Sequence, residues 1–228
     1  LHEKFMKLNQ SLSRIQRLYN DARTQGNDSM EPVRQLKAKM EEGMTIYLSI
    51  RATLIEPKFL EMTLNFHIAT ATWLSMVAME DNPQSFCDIS LPLPEQAPKC
   101  LACIPEFIMG NITDFTQFLQ RFKDTVFELA GEKLSHFMTL ILVYMGNPDR
   151  MRNPHLRAEL AETLAMLLPN DQQTNRALMS RYYKGQLFVQ HPLINHLAEK
   201  LLHVFVSIEM TGQSVQFEQK FNYRRPMY

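Results

Sequence analysis

Residues 144–162 read "YMGNPDRMRNPHLRAELAE", with Asn147-Pro148 followed six residues later by Asn153-Pro154. Proline cannot continue a helix interior, because it lacks the N–H and its ring meets the preceding turn, yet it suits the first helical position. Asparagine just before it is a good N-cap. The stretch therefore predicts a helix ending at Gly146, a cramped corner through Asp149 to Arg152, and a new helix opening at Pro154. The corner residues singled out are Asn153, Pro154, Leu156 and Arg157. Arg157 lies near the positive end of the new helix, where a cation is disfavoured. Its guanidinium is expected to reach back to Asp149 or to corner carbonyls between Gly146 and Arg152, pinning the bend.

Working outward, apolar residues recur at helical spacing almost everywhere. Phe5, Leu8, Leu12, Ile15 and Tyr19 form one stripe, and a polar break, "TQGNDSMEP", separates it from a helix running from about Pro32 to Ile55. Glu56-Pro57 begins another through Met79, with Phe59, Met62, Phe66, Ala69, Trp73 and Met76 as its expected buried face. Residues 81–104, "DNPQSFCDISLPLPEQAPKCLACI", contain four prolines without helical period and are expected to form a long, mobile surface loop. Ile112, Phe115, Leu119, Phe122 and Val126 resume the spacing. Residues 132–145 are apolar on nearly every side, as in a helix packed between neighbours. Leu156, Leu160, Leu164 and Leu167 line the next helix, which Pro169 stops, and a further one lies within 170–190. His191-Pro192 is expected to open the last long helix, with Ile194, Leu197, Leu201, Val204, Phe205 and Ile208 inward.

Composition agrees with an all-α chain. Among 228 residues there are only 7 glycines against 15 methionines and 14 phenylalanines, which favours helices with adaptable cores over turn-rich sheets. The longest apolar run, "FMTLILVYM" at 137–145, falls well short of the roughly 20 residues that span a bilayer. Lys plus Arg and Asp plus Glu number 24 each, so no basic excess points to nucleic acid or an anionic membrane. Three cysteines cannot make a disulfide framework, so the cytosol, with the nucleus beside it, is the expected compartment. The first stripe begins without a cap or initiator Met and the sequence ends abruptly in "FNYRRPMY". Both suggest a piece of a longer protein. No strict period of 33 to 47 residues emerges, which disfavours regular repeat arrays and leaves a degenerate helical solenoid.

Signals of chemistry are thin. Cys100-x-x-Cys103 is half of a zinc site, but a closed site takes four ligands, Cys87 is distant and no histidine lies in the loop. His196, Glu199 and His203 share a helix face and could ligate a metal; a solvated polar face explains them as well. The methionines suit either a promiscuous groove or core gap-filling, and Arg224-Arg225 reads as a solvated terminus. P-loop, G-x-S-x-G, H-E-x-x-H and G-x-G-x-x-G motifs do not occur. No catalytic residue, metal ligand or cofactor is expected.

"GNPDRMRNPHLRAELAE", "FHIATATWLSMVAME" and "PLPEQAPKCLACIPEF" together resemble the core region of the U-box ubiquitin chain-elongation factors, the type-four ubiquitin conjugation factors. The similarity extends over essentially the whole sequence, with Asn-Pro-x-Leu-Arg-Ala at 153–158 its most specific part. It favours the vertebrate A form over the B form, which is expected to carry tyrosine in place of His155. The resemblance implies an elongated, armadillo-like helical core and a C-terminal U-box, absent from these residues, that recruits a charged ubiquitin-conjugating enzyme. It implies ligase activity that lengthens chains on substrates already ubiquitinated, and cooperation with the valosin-containing segregase ATPase. The competing expectations are a helical-repeat adaptor of trafficking or nuclear transport, and an enzyme with an unrecognised site.

Overall fold

The computed structural model describes residues 2–24, 31–80, 89–169, 178–209 and 224–225. Every regular element among them is helical: α1 His2–Thr24, α2 Glu31–Leu54, α3 Pro57–Val77, α4 Phe107–Phe122, α5 Phe127–Ala130, α6 Ser135–Met145, α7 Pro154–Met166, α8 Leu178–Gln190 and α9 Leu197–Glu209. Short 3₁₀ turns occupy Lys99–Cys103, Asp124–Val126, Gly131–Leu134 and Ile194–His196. The fold is all-α, as the periodicity predicts. No described helix is long and apolar enough to cross a membrane. The contacts gather into two compact units, residues 1–60 and 61–228.

In the first unit α1 and α2 pack side by side. Phe5 stacks on Tyr47 with ring centroids 4.8 Å apart, and Leu12 meets Gly43. Residues advancing along α1 meet residues retreating along α2, so the pair is antiparallel. A Cβ at Gly43 would come within 2.8 Å of Leu12 Cδ2, and its absence lets the two helices close. Phe5 and Leu12 are buried as the stripe predicts.

The second unit is organised around α6. Phe137, Met138 and every residue from Leu140 to Met145 are buried, because α7 and α9 pack against this helix and leave it no wet side. Gly146 ends α6 with φ −93°, outside the left-handed region often used at helix ends. Its small size serves a close approach instead: a Cβ there would lie 2.9 Å from the Lys200 Cα of α9 and would also strike Lys200 Cδ. α7 packs on α4 as well as on α6 and α9, and Leu156, Ala158, Leu160, Ala161, Thr163 and Leu164 are all buried.

Three expectations need correction. In α3 the face carrying Phe59, Met62, Phe66, Ala69 and Trp73 is exposed, and Phe66 retains 65% of its surface. The helix is apolar on two sides, and the buried one holds Leu60, Leu64, His67, Ile68, Ala71 and Leu74. Residues 81–88 of the expected loop lie outside the described residues, and 89–98 follow an irregular, exposed or half-buried path as a surface loop should, with Pro98 buried; but Lys99–Cys103 forms a 3₁₀ turn where unbroken loop is expected. Finally, α9 does not open at Pro192. The His191 side chain accepts the Leu193 N–H at 3.2 Å, a 3₁₀ turn follows, and the α-helix begins at Leu197. Ile208 lies among the side chains outside the description.

Candidate binding cleft at the Asn-Pro corner

The corner forms as its sequence dictates. The Asn147 side chain donates to Val143 O, capping an orphan carbonyl of α6, and the Arg150 and Met151 N–H groups return to Asn147 O at 3.1 and 3.0 Å. Asn153 Oδ1 accepts the His155 and Leu156 N–H groups at 3.0 and 3.4 Å, and Pro154 takes the first helical position. The Asn153 Nδ2 donates to Glu106 Oε2 at 2.7 Å, which ties the corner to the start of α4. Leu156 points inward, as the spacing requires.

Arg157 does not pin the bend. It is 4% exposed, and its Nε and Nη1 have no hydrogen-bond partner. Burial holds its guanidinium below the ordinary arginine pKa. The reach backward belongs to Arg150, whose Nη2 donates to Pro94 O and, at 3.2 Å, to Gln96 O, with Nε 3.5 Å from Ala78 O. The anchoring carbonyls lie more than fifty residues away in sequence. Only the repeated prolines of that stretch, which leave carbonyls without N–H partners nearby, could have hinted at it.

Between corner, 3₁₀ turn and α4 lies a cleft of about 490 Å³. Leu74, Met109, Tyr144 and Met151, all buried, line its apolar part. Tyr144 donates its hydroxyl to Leu74 O at 2.8 Å, and burial raises its pKa far out of reach of neutral pH. Lys99, Glu106, Asp149 and Arg152 are its exposed charged lining residues. Cys103 is exposed and Cys100 half-buried on the adjoining turn, and neither is in a disulfide.

A second cavity of about 490 Å³ is lined in part by Thr72, Ser75, Ser135, His136, Thr139 and His191. His191 Nδ1 accepts from Leu193, so Nε2 carries the proton and lies 3.2 Å from Ser135 O and 3.0 Å from Thr139 Oγ1. Thr139 Oγ1 itself donates to Ser135 O at 3.0 Å. Burial lowers the pKa of His191, partly opposed by the Ser135 bond, and burial with Lys133 lowers that of His136. These are the signs of a settled structural histidine.

The expected metal candidates disperse. His196 Nδ1 lies 3.5 Å from Glu199 Oε2, but the other oxygen of Glu199 takes the Lys200 ammonium at 3.2 Å, and this cation keeps the carboxylate acidic. His203 is exposed on the same helix. Among the described residues no three His, Cys, Asp or Glu side chains gather where a metal could sit.

Sequence reasoning also missed a buried ion pair. Lys184 of α8, 2% exposed, donates to Asp124 Oδ1 at 2.6 Å, Gln120 Oε1 at 3.0 Å and Met166 O at 3.2 Å, and lies 4.6 Å from the Phe127 ring centroid. Ser180 adds a bond to Asp124 at 3.4 Å. All three protons of the ammonium are used, so this is a staple between α8 and the α4–α5 junction.

Interlocking helices, a hydrogen-bonded corner and a cleft beside it make this an all-α helical core. Residues 1–228 match the family model of the ubiquitin elongating factor core. The chain belongs to that family. It is 39% identical over its whole length to ubiquitin conjugation factor E4 A of Bos taurus and of Mus musculus, covering 21% and 22% of those proteins. It is 24% identical to the E4 ubiquitin-protein ligase UFD2 of Saccharomyces cerevisiae, over 82% of this chain and 21% of that protein. The chain thus spans about a fifth of the length of the relatives it matches.

Proposed function

We propose that this chain is the scaffold segment of a ubiquitin-protein ligase that extends chains on substrates already carrying ubiquitin. The carrying observation is the match of all 228 residues to the elongating-factor core at 39% identity to E4 A relatives. In this reading the chemistry belongs to partners. A charged ubiquitin-conjugating enzyme, recruited by a U-box outside these residues, supplies the thioester, and the helical core holds the ubiquitinated substrate near it. A tether of this kind raises the effective concentration of the growing chain end near the thioester without contacting the reacting atoms. The segregase ATPase is a further partner, and the cytosol with the nucleus the place of action. Nucleic acid and membrane have no part, in keeping with the balanced charge.

The test uses activating enzyme, conjugating enzyme, ubiquitin and a monoubiquitinated substrate. The chain alone should add nothing to the control. Joined to a U-box, it should lengthen chains on the monoubiquitinated substrate in preference to the unmodified one. Chain growth by the chain alone, or no gain over the isolated U-box, would overturn the reading.

A further inference from the structure

The cleft at the Asn-Pro corner has the size and the stiffness of a recognition site. Its volume of about 490 Å³ falls within the range of about 300 to 1,000 Å³ typical of ligand pockets. Its walls are set before any ligand arrives. Arg150 ties the 94–96 stretch of the loop to the corner, Asn153 ties the corner to Glu106, and Tyr144 ties α6 to the end of α3. A cleft braced from three sides spends little ordering entropy on binding.

The charges select the ligand. The lining carries Lys99, Arg150 and Arg152 against Glu106 and Asp149, an excess of one positive charge; Arg150 is hydrogen-bonded to loop carbonyls and Glu106 to the Asn153 amide, both keeping their charge. Lys99 and Arg152 are exposed cations, and neither side chain is hydrogen-bonded or ion-paired to the described residues. Asp149 is the remaining lining carboxylate, suited to accept a backbone N–H. Met109, Tyr144 and Met151 belong to the cleft's buried apolar lining, and thioethers adapt to irregular apolar shapes.

We infer that the cleft docks an extended acidic peptide segment of a partner protein, seating one bulky apolar side chain over Met109, Tyr144 and Met151 while flanking carboxylates meet Lys99 and Arg152. This goes beyond ubiquitin transfer and is tested without its enzymes. The probes are a fluorescent synthetic peptide with a central Leu-Phe pair flanked by glutamates, its lysine-flanked counterpart, and a version with alanines at the centre. The glutamate peptide should bind the chain, the other two at least about tenfold more weakly, and its affinity should fall as salt is raised. Lys99→Glu with Arg152→Glu, both at exposed positions, should weaken the glutamate peptide about tenfold and favour the lysine one. Ala102→Trp, which fills the mouth from an exposed position, should block both, with melting curves confirming that each variant folds. Equal binding of all three peptides, no binding of any, or binding untouched by Ala102→Trp would overturn the proposal.

Discussion

Arg157 carries a full charge into a place where solvent reaches 4% of it, and two of its nitrogens find no acceptor. An unpaired buried cation costs stability, so an apolar side chain of similar length should serve as well or better. Arg157→Met is expected to leave the denaturant midpoint unchanged or raise stability by about 1 to 3 kcal/mol; a fall would restore the pin. Arg150→Ala should cost about 1 to 3 kcal/mol by freeing the loop carbonyls. Gly146→Ala should cost a similar amount, about 1 to 3 kcal/mol, by pushing α6 and α9 apart at Lys200. The corner itself was legible because caps and prolines act within a few residues. Which arginine pins it was not, since the deciding carbonyls at 94 and 96 are brought there by tertiary structure.

α3 shows where periodicity stops informing. With apolar residues on two faces, spacing alone cannot say which is buried, and the stripe read from Phe59 to Trp73 is the outer one. Leu64→Ala should therefore cost about 2 to 5 kcal/mol, whereas Phe66→Ala and Met62→Ala should stay within about 0.5 kcal/mol. Trp73, the single tryptophan, should fluoresce as a water-exposed indole, being 44% exposed. α6, apolar all round, leaves no such choice, although it opens at Ser135 after a 3₁₀ turn whose Glu132 and Lys133 are exposed. α8 owes its seat to the Lys184–Asp124 pair, which no local pattern announces across sixty residues. Asp124→Ala should cost about 3 to 5 kcal/mol because the ammonium would stay buried without its counter-charge, while Lys184→Met combined with Asp124→Leu should recover most of that loss.

At the scale of the whole molecule, three described histidines lose stabilisation in acid. His67 stacks on Phe115 at 4.6 Å, its Nδ1 has no partner, and burial lowers its pKa from 6.5 to about 4. His136 and His191 shift the same way. The fold favours the neutral rings, so the unfolded chain takes up protons first as pH falls. Their contribution is intact above pH 6.5 and is lost on the way down to about pH 4, His67 accounting for at most about 3 kcal/mol. Denaturant midpoints should decline over that window, and His67→Leu should flatten the decline. The dry ammonium of Lys184 also bears on modification by the very machinery this family serves. An amine only 2% exposed and held by three hydrogen bonds is shielded from an acyl donor in solution. When the native chain is exposed to an amine-acylating reagent, or to ubiquitin thioesters in a self-modification assay, peptide mapping should find Lys184 unmarked while exposed lysines such as Lys37 and Lys99 are labelled; acylation of Lys184 would appear only once denaturant releases α8.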